Sequence, residues 1–105
     1  MEHLTKRNDF IKASRGQKSV TPSFVLLKYM RDFSENSSPR IGYTASKKIG
    51  TAVIRNRAKR RLRSAAVETI FKRAEEHTNY VLIARKQLLE YPYADLINDL
   101  KDCMI

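Results

Sequence analysis

The sequence predicts a small α+β sandwich, a single domain over residues 1–105 in the order α-β-β-β-α-β-α. Three observations carry that reading. Two apolar runs of strand length, FVLLKYM at 24–30 and YVLIA at 80–84, are bounded by polar residues. Between them, residues 51–71 repeat apolar side chains at helical spacing. Pro92 then introduces a last segment, 93–102, in which Leu96, Ile97 and Leu100 fall on one helical stripe. A chain of 105 residues suits one domain, large enough to fold by burial but only marginally.

In chain order, residues 6–13 read as a short helix, with Thr5 as N-cap, Phe10 and Ala13 on one face and Gly16 as the stop. Residues 18–20 make a short strand closed by Thr21 and Pro22. The run at 24–30 is apolar enough for a well-buried strand. Residues 31–39, RDFSENSSP, carry turn chemistry, and 40–45, RIGYTA, form the next strand. These two strands are expected to pair as an antiparallel hairpin with a long loop. After the helix at 51–71, residues 75–79 are a polar link. Residues 80–84 read as a central strand because they are apolar throughout.

Charge narrows the function. Twenty-one Lys and Arg against eleven Asp and Glu leave a net charge of +10. A small domain this basic meets a polyanion, nucleic acid in the first place and an acidic membrane surface in the second. The one cysteine, Cys103, can form neither an intrachain disulfide nor a zinc site, which fits a reducing compartment. No apolar stretch approaches the ~18 residues of a membrane span, and MEHLTKRNDF has no signal-peptide core. The expectation is a soluble cytoplasmic protein with no membrane partner.

The cations concentrate in residues 46–63, SKKIGTAVIRNRAKRRLR, where six of the nine residues from 55 to 63 are basic. At about 100° per residue, Ile54, Ala58, Leu62, Ala65 and Thr69 share one stripe. Asn56, Lys59, Arg60 and Arg63 fall opposite, with Arg57 at their edge. Arg55 and Arg61 flank the apolar stripe, able to reach outward from it. Val67 and Phe71 land on the polar side, where packing under a neighbouring loop would account for them. Like charges this close repel by a few tenths of a kcal/mol per i,i+4 pair. A merely solubilising face would mix signs, and Arg suits phosphate because its planar fork donates two parallel hydrogen bonds. Lys47, Lys48 and Gly50 lie where a strand turns into the helix N-terminus; they are either an anion-binding extension or an ordinary connecting loop.

Residues 40–63, RIGYTASKKIGTAVIRNRAKRRLR, resemble the signature of the bacterial ribonuclease P protein subunit. Its core is the Arg55-Asn56-Arg57 triplet on a basic helix, following Ser46-Lys47-Lys48 at a strand end. The segments Arg7-Asn8-Asp9-Phe10 and YVLIAR at 80–85 resemble that family's first helix and last strand. The resemblance implies a ribosomal-protein-like fold with a left-handed crossover around the basic helix, against the usual handedness. It implies a protein cofactor of ribonuclease P, an RNA-based endoribonuclease that removes the 5′ leader of precursor tRNA. The catalytic RNA carries the chemistry and requires Mg²⁺, and one protein monomer joins each RNA. By position, Lys47, Lys48, Arg55, Asn56, Arg57, Lys59, Arg60, Arg61 and Arg63 would contact the catalytic RNA. Phe10 would line a leader cleft between the first helix and the sheet, or else anchor that helix to the core. Many family members carry a second aromatic one turn later, where this chain has Ser14; at that cleft position either stacking is weaker or Tyr43 or Tyr29 substitutes, Tyr43 facing the same cleft or the core.

No catalytic constellation is visible in the protein itself. His3 and His77 lie in a terminus and a link, without metal-ligand spacing. Asp95, Asp99 and Asp102 recur at helical spacing, as the solvated face of the last helix would. The glycines at 16, 42 and 50 form no phosphate loop, so the chain is expected to bind no cofactor of its own. The alternative class is another RNA-binding module, such as a ribosomal protein. A DNA regulator fits less well, because no short helix precedes the basic one in the helix-turn-helix manner.

Overall fold

The structure, a computed structural model, describes residues 1–4, 7–31 and 37–104. The expected Thr5 N-cap, the helix start at Lys6 and most of the turn at 31–39 lie outside the described residues. The elements are β1 (Glu2–His3), α1 (Arg7–Ala13), β2 (Gln17–Val20), β3 (Phe24–Met30), β4 (Arg40–Thr44), a 3-10 turn (Lys47–Ile49), α2 (Ala52–Glu68), α3 (Ile70–Arg73), β5 (Thr78–Ala84) and α4 (Tyr93–Cys103).

One five-stranded mixed sheet runs in the order β1-β4-β5-β3-β2. β5 holds the centre, antiparallel to β3 and parallel to β4. Its central position shows in its burial: every residue from Thr78 to Ala84 is buried except Ile83, which is partly so. A strand apolar on both faces is stable only with strands on both edges and cover above and below. This corrects the expected hairpin. β3 and β4 do run in opposite directions, but β5 lies between them, paired Leu26 to Leu82 on one side and Tyr43 to Leu82 on the other. β4 reaches β5 only after the crossover through α2 and α3.

Strand alternation sorts the side chains onto two faces. On one, Phe24, Leu26, Ile41, Tyr80 and Leu82 pack with Ala58, Leu62, Ala65 and Ile70 of α2–α3 and with Leu88, Leu96 and Leu100. Each fully buried Leu or Ile here stabilises by roughly 1.5–3 kcal/mol relative to exposure. The other face carries a smaller cluster, Leu4, Ala13, Leu27 and Val81, flanked by Phe10, Val25, Tyr29 and Ile83. Among the described residues, the helix that lies against it is the seven-residue α1, and an open cleft remains on this face.

Two further differences from the sequence reading have physical causes. Glu2–His3 is a strand, not a loose terminus: it pairs in parallel with Arg40 and Ile41, and Arg40 Nε meets the Glu2 carboxylate at 3.1 Å. The long helix breaks at Thr69, whose backbone leaves the helical region (φ −128°, ψ −75°) while its hydroxyl donates to the Ala65 carbonyl at 2.8 Å. The break turns Ile70 fully inward and lets Phe71 pack against the main core, which accounts for its apolar character. Val67, before the break, stays 49% exposed.

Candidate RNA interface

α2 begins at Thr51, whose hydroxyl accepts the Ile54 amide at 3.4 Å. Ala58, Leu62, Ala65, Ala66 and Thr69 are buried beneath it, and Ile54 is partly so. That stripe fixes the helix rotation and leaves Asn56, Arg57, Arg60 and Arg63 exposed, with Arg55, Lys59 and Arg61 half-buried. Among the described residues, no basic side chain of α2 is paired with a carboxylate. Lys47 and Lys48 are exposed on the 3-10 turn just ahead. Gly50 links the two at φ +152°, where a side chain would be strained and would also press on Ile54.

The arginines are not equivalent. Arg61 turns toward α4: it donates to the Tyr91 carbonyl and its guanidinium lies 5.3 Å from the centre of the Tyr93 ring. The Tyr93 hydroxyl in turn meets Ser64 at 3.0 Å and Glu68 at 3.3 Å. Arg55 keeps its Nε buried and without a hydrogen-bond partner. Arg63 reaches over the sheet edge, its guanidinium 5.2 Å from the centre of the Tyr43 ring.

Tyr43 connects that helix to a second feature. An open cleft of about 500 Å³ lies beside α1, lined by Arg7, Phe10, Ser14, Leu27, Tyr43, Thr44, Val81 and Ile83. Phe10, Ser14 and Tyr43, singled out in the sequence, therefore meet in one cleft, whereas Tyr29 packs nearby without lining it. Phe10 is both wall and anchor. Its ring lies so close to Gly42 that a Cβ added there would sit 2.6 Å from two ring carbons. Ser14 lines the cleft with its hydroxyl donated to the Ile11 carbonyl at 2.5 Å, at the end of α1. Burial pushes the Tyr43 phenol up to about 12, against the opposing pull of the Arg63 guanidinium. Its hydroxyl is buried and has no partner.

The sequence reading missed Arg7, Leu27, Thr44, Val81 and Ile83 as cleft residues. The alternation of β3 and β5 held part of that signal, since Leu27, Val81 and Ile83 occupy the face opposite the main core. Their convergence on α1 is tertiary. Among the described residues, no three His, Cys, Asp or Glu side chains gather as a metal site, and no helix is long and apolar enough to cross a membrane. Asp99 accepts the Tyr91 hydroxyl at 2.7 Å, and Asp95 and Asp102 are exposed on α4.

A family model described as Ribonuclease P matches residues 1–105. The ribonuclease P protein component of Ruegeria pomeroyi is 41% identical over 99 residues, covering 93% of this chain and 79% of that protein. That of Paramagnetospirillum magneticum is 39% identical over 103 residues, covering 95% and 77%. The solved ribonuclease P protein of Thermotoga maritima shares the fold at 24% identity, with a TM-score of 0.78 over 99% of this chain and 96% of that one. The full-length family match and these relatives converge with the fold: the chain belongs to the ribonuclease P family, as a ribonuclease P protein component.

Proposed function

We propose that this chain binds the catalytic RNA of ribonuclease P and the 5′ leader of precursor tRNA, and so promotes endonucleolytic removal of the leader. The observation that carries the reading is the one-signed face of α2, held outward by a buried stripe on the same helix. Such a face repels itself unless a polyanion covers it. Asn56, Arg57, Lys59, Arg60 and Arg63 meet the RNA, with Lys47 and Lys48 extending the surface toward the sheet. Arg55 contributes from the edge of the face. Arg61, engaged with Tyr91 and Tyr93, serves chiefly to hold α2 against α4.

The leader, a single strand, lies in the cleft beside α1. Base stacking on an aromatic ring is worth roughly 1–3 kcal/mol by alanine substitution and tolerates any base. Phe10 and Tyr43 supply rings, Leu27, Val81 and Ile83 supply an apolar floor, and Arg7 supplies a cation. Arg63 over Tyr43 makes the cleft continuous with the helix face. The protein acts in the cytoplasm as one monomer per RNA. The catalytic residues belong to the RNA, which takes Mg²⁺ for the reaction, and the protein contributes binding and orientation.

The test is reconstitution. The protein alone leaves precursor tRNA intact; with the catalytic RNA it accelerates cleavage at low Mg²⁺, more for substrates with a leader than without. Robust metal-dependent cleavage by RNA-free protein would overturn the reading.

A further inference from the structure

At the carboxyl ends of the parallel strands β4 and β5 the chain turns twice, side by side. After β4 it makes the turn carrying Ser46, Lys48 and Ile49; after β5 it makes the turn carrying Arg85, Lys86 and Gln87. A groove of about 380 Å³ lies between them, lined by these residues with Pro22 and Ala84. Three of its side chains are cations, Lys48, Arg85 and Lys86, all exposed, and none of its lining residues is a carboxylate.

We infer that this groove is a second RNA-backbone site, in which Lys48, Arg85 and Lys86 hold a phosphodiester of the RNA that α2 binds. The inference rests on the proposed RNA-binding role. Two observations select the occupant. The groove carries three cations and no carboxylate, which complements a phosphate chain and not a basic partner. It is also continuous with the α2 surface, because Lys48 lies three residues before the helix cap Thr51 and lines the groove as well. The cationic surface therefore turns the corner of the sheet and follows a strand past the helix start.

The groove is preorganised on one side. Arg85 donates its backbone amide to the Ser23 carbonyl at 3.0 Å and one guanidinium N–H to the Thr21 carbonyl at 2.7 Å. Its charge is thus held at the rim by the β2–β3 turn, with the remaining guanidinium N–H groups available to a phosphate. Less side-chain freedom is lost on binding than for a mobile cation. Lys86 carries no such tie and acts as a point charge.

The experiment measures binding of the ribonuclease P RNA across a salt titration for Lys86→Ala, for Lys101→Ala on the exposed face of α4, and for Arg57→Ala/Arg60→Ala on α2. Urea unfolding verifies that each variant is folded. Lys86→Ala is expected to lower the log–log salt slope by about one, as one lost phosphate contact does, while Lys101→Ala leaves it unchanged. A photo-crosslinker placed by Gln87→Cys in a Cys103→Ser background should label RNA. If Lys86→Ala matches Lys101→Ala and the crosslinker labels nothing, while the α2 variant still lowers the slope, the groove is not an RNA site and the α2 reading survives. If the α2 variant is also unchanged, both fall.

Discussion

The Arg61 guanidinium lies 5.3 Å from the centre of the Tyr93 ring and donates to the Tyr91 carbonyl, tying α2 to the loop and helix that follow β5. One arginine within the basic run is thereby committed to the fold. Replacing Arg61 with Ala should lower stability by about 1–2 kcal/mol, the cation–π contact and one charged hydrogen bond together. The salt slope of RNA binding should stay near that of the parent. Urea unfolding and a salt titration of the same preparation check the two halves.

Gly42 decides where Phe10 sits. A methyl group at this position would enter the space of two Phe10 ring carbons, 2.6 Å away, and would also come within 3.2 Å of Leu4 Cβ. Gly42→Ala should displace α1 from β4 at a cost of about 1–3 kcal/mol, typical of overpacking. The selective effect falls on the cleft. With the catalytic RNA present, the preference for leader-bearing substrate should shrink more than affinity for the RNA itself does. Equal losses of both would mean that Phe10 only anchors the fold.

Tyr43 carries a buried hydroxyl without a partner and a phenol pushed up to about 12 by burial. Removing the orphaned hydroxyl in Tyr43→Phe should stabilise the protein at neutral pH by up to about 1 kcal/mol. The pH dependence has a definite sign. The folded phenol holds its proton above the unfolded value of 10.0, so its contribution is complete below pH 10 and is lost as pH rises toward 12. Stability of the parent should therefore fall more steeply across that window than stability of Tyr43→Phe. Parallel slopes in urea unfolding at pH 9 and 11 would argue that the phenol is not buried.

Much of this was legible in the sequence because it is local. The bounds of β3 and the start of α2 near Thr51 follow from an apolar run and from helical spacing. The outward and inward faces of α2 follow from helical phase alone. What was not legible is non-local. Residues 24–30 and 40–45 read as a hairpin because sequence neighbours usually pair, yet the more deeply buried 78–84 strand inserts between them. β1 is two residues long and exists only through its pairing with Arg40 and Ile41. The helix break depends on one Thr69 hydroxyl competing for a backbone carbonyl. In the proposed RNA surface, residue type identified the basic run, while packing separated the exposed Arg57 and Arg60 from the engaged Arg61. The groove at Arg85 and Lys86 needed the parallel pairing of β4 and β5 to become visible.

The central claim is that the exposed face of α2 is where RNA binds. Its most direct test is the salt dependence of affinity for the ribonuclease P RNA in Arg57→Ala/Arg60→Ala, two exposed residues with no role in the core. Weaker binding and a log–log slope reduced by about two are expected, with unfolding unchanged. An unchanged affinity and slope in a folded variant would contradict it, and would place the RNA surface elsewhere on the molecule.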